Sequence, residues 1–306
     1  MKPTPVRRIL LVLGIVALLG LLMAGLAQAQ PIQITDDRGK VLRFDAPPRR
    51  IVSLLPSLTE SVCELQHCER LVGVDRYSNW PAFVRTLPQV GGGLDPNIES
   101  VVALRPDVVL LSVSSRVSDR LEALGLKVAA LEPKNHADVR RVLGVVGDLL
   151  GVPPQQGAQR VWREIDAAVS AAAQSLPPRA RGVRVYFEVN RGPYAAGGSS
   201  FIGETLARMG ARNVVPGTLG PFPRLSPEFV LRAQPDLVMI SNRTGEPLTL
   251  YPGWQNMAAV KAGRLCEFGP AQSDVLIRPG PRMAEAARWM AGCVARLGAP
   301  VAGGAP

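Results

Sequence analysis

The segment LDPNIESVVALRPDVVLL, residues 94–111, is the most informative for the fold, because a related segment, LSPEFVLRAQPDLVMI, recurs at residues 225–240. In each copy a glutamate stands seven residues before a Pro-Asp pair, and the two glutamates, Glu99 and Glu228, lie 129 positions apart. An apolar run follows each Pro-Asp pair, an order that is typical of a capped helix, a turn and a buried strand. Such an order is common in αβ units, but the shared glutamate and the fixed spacing favour a duplicated lobe.

Strand-like and helix-like segments alternate on both sides of this repeat. Short apolar runs bounded by turn residues predict buried strands, and longer amphipathic stretches predict helices. The predicted strands cover residues 50–55, 71–74, 108–111, 127–131, 183–189 and 237–240, the predicted helices cover residues 59–65, 117–124, 201–209 and 283–297, and residues 32–44 predict a hairpin. This alternation predicts an α/β fold in which each of two lobes holds a central, mainly parallel sheet.

Residues 155–176 are rich in Ala, Gln, Arg and Glu, with proline pairs just before and just after them. Prolines in these places are typical of helix ends, so the segment is predicted to be one helix. As a helix, about 22 residues span roughly 33 Å, which is long enough to join two lobes and to hold them nearly fixed. The predicted division is a leader at residues 1–29, an N-terminal lobe at 30–153, a connecting helix at 154–178 and a C-terminal lobe at 179–306.

The first residues have the form of a cleaved signal peptide. Basic residues precede an apolar run at residues 9–26, which closes on the small-x-small pattern Ala27-Gln28-Ala29. The run is nearly long enough for an uncleaved membrane anchor, but the Ala-x-Ala site favours cleavage after Ala29. Cysteine first occurs at Cys63, so we expect no lipid anchor and a product that is free in the periplasm.

The chain is basic, with a formal net charge of +10, and a basic balance is typical of many nucleic-acid-binding proteins. Its arginines are scattered, however, and no basic cluster is interleaved with aromatic residues. A solvated basic surface is therefore the better interpretation, and no nucleic-acid partner is expected.

Four cysteines, Cys63, Cys68, Cys266 and Cys293, allow three full pairings in an exported protein. Cys63 and Cys68 lie close together at a predicted helix end, which favours a local bridge between them. Free buried thiols are the alternative.

The motifs of common enzyme classes are absent from the sequence: it contains no G-x-S-x-G, no P-loop and no G-x-G-x-x-G after a strand. Its two histidines, His67 and His136, have no metal-ligand spacing and are interpreted as exposed helix-end residues, so neither a metal nor a cofactor is expected. The glycine run around Gly92 is interpreted as a tight loop that lets the backbone approach a ligand. An extracytoplasmic enzyme stays open as the alternative from a different functional class.

Aromatic residues make up only 5% of the chain, so their positions carry information. Loops at the carboxyl ends of parallel strands are the usual ligand sites of α/β sheets. Each candidate could be a packed loop residue, but their shared position after strands in both lobes indicates a binding cleft. The candidates are Tyr77, Asn79 and Trp80 after the strand at 71–74, Tyr194 after the strand at 183–189, Phe222 ahead of the second glutamate, and Asp274 and Arg278 in a predicted loop after residues 264–268.

Several segments together resemble one family. RIVSLLPSLTE at residues 50–60, LVGV at 71–74 and the stretch from Ile98-Glu99 to Pro106-Asp107 are similar to the periplasmic binding proteins for cobalamin, haem and ferric siderophores, over most of residues 49–297. Residues 77–81, the Gly-Pro-Phe-Pro around Phe222, and Ser273-Asp274 with Arg278 are most similar to the cobalamin-binding branch. Two features depart from that branch: Phe222 stands where cobalamin binders tend to have tryptophan, and Val275-Leu276 replaces an aromatic pair.

The resemblance implies two α/β lobes joined by one long helix and a corrinoid bound between them. It also implies that Glu99 and Glu228 dock on arginines of a dimeric ABC permease in the inner membrane, one on each subunit. In haem relatives a tyrosine or histidine binds the iron, and Tyr77 or Tyr194 could serve here. The sequence thus predicts a monomeric, non-enzymatic substrate-binding protein that carries cobalamin as cargo and has no cofactor of its own; haem or a ferric siderophore is the alternative ligand.

Overall fold

A computed structural model describes residues 31–298 of the chain. The proposed signal peptide at residues 1–29 lies outside the described residues. None of the helices within residues 31–298 has the length and apolar character needed to cross a bilayer.

The N-terminal lobe alternates strands with helices, as the sequence predicts. Its strands are β1 Ile32–Thr35, β2 Val41–Phe44, β3 Ile51–Ser53, β4 Leu71–Val74, β5 Val108–Leu111 and β6 Val128–Ala130, and its helices are α1 Pro56–Glu64, α2 Ile98–Ala103, α3 Ser118–Ala123 and α4 His136–Leu150. β1 and β2 form the predicted antiparallel hairpin. The other four strands form a parallel sheet in the order β4-β3-β5-β6. β3, β5 and β6 are buried at every residue, because helices cover both faces of such a sheet.

The C-terminal lobe follows the connecting helix, α5 Ala158–Gln174. Its strands are β7 Arg184–Asn190, β8 Tyr194–Ala195, β9 Arg212–Asn213, β10 Leu237–Ser241 and β11 Leu265–Phe268, and its helices are α6 Phe201–Arg208, α7 Pro227–Ala233, α8 Ala258–Lys261, α9 Pro270–Leu276 and α10 Met283–Ala295. Parallel pairing gives the order β9-β7-β10-β11, and β8 joins β7 in the antiparallel sense. In both sheets the parallel strands stand in the order second, first, third and fourth along the chain. The predicted repeat is therefore confirmed at the level of topology.

The two copies of the repeat also share their local geometry. Asn97 caps α2 by accepting a hydrogen bond from the Ser100 amide at 2.7 Å, and Ser226 caps α7 in the same way through the Phe229 amide at 3.3 Å. Each helix then leads through a short turn to the central strand of its sheet, β5 or β10. The two caps and helices therefore occupy equivalent places in the two lobes.

The turns after these helices repeat the correspondence. Arg105 and Gln234, neither of them glycine, have positive φ angles of 45° and 43°, a conformation that few non-glycine residues adopt. Asp107 and Asp236 follow two residues later, and each carboxylate accepts a backbone hydrogen bond from the start of a neighbouring strand, at 2.9 Å from Arg50 and 2.8 Å from Arg184. Shared backbone strain and shared polar contacts make duplication a better explanation than common turn chemistry.

The connecting helix is shorter than the sequence predicts. It begins at Ala158 because Pro154–Gly157 form a turn, and it ends at Gln174. Its buried side chains, Val161, Ile165 and Val169, join an apolar core that continues into both lobes. The helix α4, which the sequence analysis missed, packs against it. The lobes are thus joined by a shared core as well as by a covalent link.

The cysteines are all paired in the structure. Cys63 is bonded to Cys68 at the end of α1, and Cys266 on β11 is bonded to Cys293 on α10. The second bridge ties the edge strand of the C-terminal sheet to the last long helix.

His136 joins the two lobes at the start of α4. Its amide donates to a Glu204 carboxylate oxygen at 2.7 Å, and its Nε2 lies 2.8 Å from the Thr205 hydroxyl and 3.1 Å from the Phe201 carbonyl oxygen. The residue does lie at a helix end, as predicted, but it is half-buried, so the prediction that it is exposed is wrong. Burial lowers the pKa of His136 below its ordinary value of 6.5; Glu204 acts in the opposite direction, and Arg208 lowers the pKa further.

This lowered pKa predicts a loss of stability in acid. Since the unfolded chain takes up this proton at a higher pH than the folded chain does, the free energy of unfolding should decrease as the pH falls below 6.5. His136→Gln removes the titrating group and should flatten this part of the dependence. Urea unfolding of both proteins between about pH 7 and pH 5 measures the difference. Equal slopes for the two proteins over that range would be the contrary result.

Candidate functional site

The loop that follows β4, residues 75–81, is called the aromatic loop here because it carries Tyr77 and Trp80. Asp75 is fully buried at its start and accepts hydrogen bonds from the Tyr77 amide at 3.0 Å and the Ser78 hydroxyl at 2.5 Å. Burial raises the pKa of the Asp75 carboxyl. Ser78 also contacts Thr59 on α1, so the base of the loop is held by buried polar contacts. The loop can therefore present its aromatic rings while its backbone stays ordered.

Five aromatic side chains are exposed in the described residues, and four of them are the predicted cleft residues. Tyr77 and Trp80 are 49% and 48% exposed, and Tyr194 and Phe222 are 40% and 36% exposed. The fifth is Phe83, which was not predicted to bind. Large aromatic side chains are costly to leave in water, so their concentration on strand-end loops of both lobes is typical of a binding surface.

Tyr194 and Phe222 lie on neighbouring extended segments of the C-terminal lobe. The Ala195 amide donates to the Pro223 carbonyl oxygen at 3.0 Å, which holds the Phe222 segment alongside β8. The Phe222 ring packs against Phe201 with ring centroids 5.9 Å apart. The structure therefore brings these two predicted residues together, and it brings Tyr77 and Trp80 together on the other lobe.

A cavity of about 250 Å³ opens beside the aromatic loop at the carboxyl end of the N-terminal sheet. Gly92 lines it and is buried, and a Cβ atom there would clash with Asp95 Oδ1. The other lining residues are Leu54, Leu55, Pro56, Asp75, Tyr77, Gly93, Leu94, Asp95 and Ser112. The glycine loop thus lies next to Tyr77, and the approach of its backbone to a ligand stays a prediction.

Arginines that the sequence analysis did not single out stand beside three of the four aromatic rings. The guanidinium carbons of Arg76 and Arg243 lie 5.9 and 5.8 Å from the Tyr77 ring centroid. Arg282 lies 5.0 Å from the Trp80 ring and Arg224 lies 5.9 Å from the Tyr194 ring. Because Arg243 and Arg282 belong to the C-terminal lobe, these contacts place the aromatic loop against the opposite lobe. No spacing in the sequence distinguishes these arginines from the other arginines.

The prediction of a loop is wrong for Asp274, which lies inside α9, but it is confirmed for Arg278, which follows the end of that helix. The helix forms because Pro270 occupies its first turn, where a missing amide hydrogen costs nothing. Asp274 accepts from Asn79 Nδ2 at 2.7 Å and pairs with Arg278 at 3.0 Å. Arg278 is only 6% exposed, and it donates to Asn79 Oδ1 at 2.8 Å and to the Tyr77 carbonyl oxygen at 2.9 Å. The three predicted polar residues therefore contact one another and support the loop from below.

Glu60 on α1 completes this buried cluster. Its carboxylate accepts from Arg278 Nη1 at 2.8 Å and from Arg282 Nη2 at 2.9 Å, and the residue is 3% exposed. The sequence segment containing Glu60 was recognised only as part of a family pattern. A glutamate at the middle of an amphipathic helix gives no local sign that its partners lie more than two hundred residues away.

Glu99 and Glu228 are exposed in the first turns of α2 and α7, at equivalent positions of the repeat. Hydrogen bonding from its own amide and from Ser226 lowers the pKa of Glu228. The salt bridges found between described residues include neither carboxylate.

Metal-binding side chains do not cluster in the part of the chain that the structure describes: residues 31–298 hold no group of three or more His, Cys, Asp or Glu that could bind a metal ion. The chemistry that the site does offer is aromatic stacking, guanidinium contacts and an apolar cavity.

Known proteins resemble the chain along most of its length. Residues 51–271 match the family model described as periplasmic binding protein. The chain is 24% identical over 276 residues to an uncharacterised ABC transporter substrate-binding lipoprotein, YvrC, of Bacillus subtilis, covering 85% of this chain and 84% of that protein. It is 25% identical to a vitamin B12-binding protein of Salmonella typhi, and the match covers 81% of this chain and 91% of that protein. The crystal structure of a periplasmic haem-binding protein from Pseudomonas aeruginosa is similar with a TM-score of 0.69 and 28% identity, covering 81% and 93%.

Proposed function

The chain belongs to the periplasmic binding protein family, among the substrate-binding proteins of ABC importers for vitamin B12, haem and siderophores, and from that premise we propose that its ligand is cobalamin or another corrinoid. In this proposal the corrinoid lies between the lobes and contacts Tyr77 and Trp80 of one lobe and Tyr194 and Phe222 of the other. The protein delivers it to a dimeric ABC permease and does not alter it chemically. Export to the periplasm through the signal peptide at residues 1–29 is part of the same proposal.

One observation carries this proposal: both lobes expose aromatic side chains, and one of them, Tyr77, lines a cavity in the N-terminal lobe. A corrin is a broad, flat ring with polar amides at its edge. Aromatic faces can pack on such a ring, and a few polar groups can fix its orientation. Asn79, Asp274 and Arg278 would act from behind the loop, by holding Tyr77 and Trp80 in place.

Haem is a second candidate because of the surroundings of Tyr77. This side chain is half-exposed, and its hydroxyl has no hydrogen-bond partner among the described residues. Two guanidiniums, of Arg76 and Arg243, lie near its ring. Tyrosine oxygen is a known axial ligand of haem iron.

The experiment is to incubate the protein separately with cyanocobalamin, hemin and a ferric siderophore, and then to record visible spectra after gel filtration. We expect cyanocobalamin to co-elute with the protein and to keep its visible spectrum. An unchanged spectrum also shows that the protein has not altered the ligand chemically. Tyr77→Phe should leave most of this binding intact, because it removes only the hydroxyl. If the unaltered protein retains only hemin, and Tyr77→Phe no longer retains it, haem would replace the corrinoid as the assigned ligand. A changed spectrum of the released ligand would support an enzyme instead.

A further inference from the structure

Glu60 has two arginine partners, both contributed by the opposite lobe. It lies on α1 in the N-terminal lobe, whereas Arg278 and Arg282 follow α9 in the C-terminal lobe. Oε1 accepts from Arg278 at 2.8 Å and from Arg282 at 2.9 Å, and Oε2 accepts from Arg282 Nε at 3.1 Å. Both oxygens of one buried carboxylate are therefore committed to cross-lobe contacts.

Each of these arginines also contacts the aromatic loop. Arg278 binds the Tyr77 carbonyl oxygen and the Asn79 side chain, and Arg282 stands 5.0 Å from the Trp80 ring. The two arginines are four residues apart, and a single carboxylate fixes both of them. Glu60 thus binds two arginines of the C-terminal lobe, and both of these contact the aromatic loop.

The charges in this cluster are balanced. Arg278 pairs with Asp274 as well as with Glu60, so two carboxylates meet two guanidiniums. The Arg278 and Glu60 side chains are buried, and the Arg282 side chain is largely buried. When one charge of a buried ion-pair cluster is removed, the oppositely charged side chains lose their compensation, and the hydrogen bonds that they make are disrupted.

We propose that Glu60 is a positioning residue for ligand binding: it holds Arg278 and Arg282 so that Tyr77 and Trp80 are preorganised for the ligand before it arrives. This inference rests on the proposed binding function, but it also makes a claim about the ligand-free protein. Preorganisation reduces the ordering that binding would otherwise require, so Glu60 contributes to affinity without touching the ligand.

The first test uses ligand-free protein. Glu60→Gln keeps the shape of the side chain and removes its charge. We expect amide hydrogen exchange in residues 76–80 to become faster on the order of tenfold or more, because the cross-lobe contacts of the loop are weakened. The matched control is Asp36→Asn, a buried carboxylate whose arginine partner, Arg38, is in the same lobe and does not contact the aromatic loop. Asp36→Asn should lower the melting temperature without changing exchange in residues 76–80.

The second test measures binding of cyanocobalamin and of hemin by Glu60→Gln and by Asp36→Asn. For whichever probe the unaltered protein binds, Glu60→Gln should weaken affinity on the order of tenfold, and Asp36→Asn should not. If Glu60→Gln does not fold, Arg282→Gln, which leaves Glu60 paired with Arg278, provides the same comparison.

The outcomes separate the two proposals. Faster loop exchange with no binding of either probe by the unaltered protein refutes the proposed function and leaves the positioning role supported. Unchanged loop exchange in Glu60→Gln, or equal losses of affinity in Glu60→Gln and Asp36→Asn, would overturn the positioning role and make Glu60 a residue of general stability.

Discussion

Replacing Glu99 and Glu228 together with alanine should remove most delivery of cyanocobalamin to the permease while leaving its affinity for the protein unchanged. The two carboxylates are exposed at equivalent positions of the two lobes, whose sheets share the same strand order. A dimeric permease presents two symmetry-related copies of any basic site, so paired carboxylates can meet both copies at once. Charge pairs of this kind steer docking and set its register, and they weaken as salt is added.

The measurement is a cyanocobalamin titration beside a transport assay with the reconstituted cognate permease, at low and high salt. Asp119→Ala is the control, because Asp119 is also exposed in the first turn of a short helix but lies outside the repeat. If the glutamates served only the helix dipole, each alanine would cost up to roughly 1 kcal/mol of stability and transport would be preserved. Normal transport by the folded double variant would remove the docking role.

Trp80→Ala should produce the largest loss of ligand affinity among the single aromatic replacements in the cleft. Trp80 has the largest aromatic surface of the four exposed cleft residues, and Arg282 orients it from the opposite lobe. Truncation of an aromatic anchor at a binding site costs on the order of 1–3 kcal/mol, and each 1.4 kcal/mol corresponds to about tenfold in the dissociation constant. Quenching of tryptophan fluorescence or calorimetry with cyanocobalamin measures the change.

Phe83→Ala is the matched control for this replacement. Phe83 has the same exposure as Trp80, 48%, and lies three residues further along the chain, but it was not predicted to face the cleft. We expect Phe83→Ala to bind cyanocobalamin with a dissociation constant within about twofold of that of the unaltered protein, since truncation of an isolated surface side chain has little effect. Equal losses in the two variants, or no loss in Trp80→Ala, would argue against stacking on the aromatic loop.

The fold could be predicted from the sequence because its strongest signals are local. Strands β4 and β5 were predicted with their observed bounds, since buried parallel strands are continuous apolar runs between turn residues. The repeat from Glu99 to Asp107, and again from Glu228 to Asp236, correctly predicted two lobes of equal topology. The helix α4 was missed, although Asn135 caps it and Gly151 ends it, because no strand follows it to complete the alternation that was sought.

The candidate site was predicted less completely, because its polar part depends on contacts between distant residues. The exposed aromatics could be found from their positions after strands. The partners of Arg278 could not: Glu60 is 218 residues away in sequence, and burial at that position is a property of the packed lobes. Sequence spacing therefore placed Arg278 in the cleft lining, whereas the structure has it buried behind the loop. His136 was misjudged for the same reason, since Thr205 and Glu204 come from the other lobe.

Calorimetric titration of the purified protein with cyanocobalamin tests whether one corrinoid binds between the lobes. We expect one cyanocobalamin per chain, a dissociation constant of about a micromolar or below, and a negative heat-capacity change from burial of the aromatic surfaces. The Trp80→Ala protein should show the same stoichiometry with weaker binding. The contrary result is a folded protein that binds hemin in the same calorimeter but gives no saturable heat with cyanocobalamin. The ligand would then not be cobalamin.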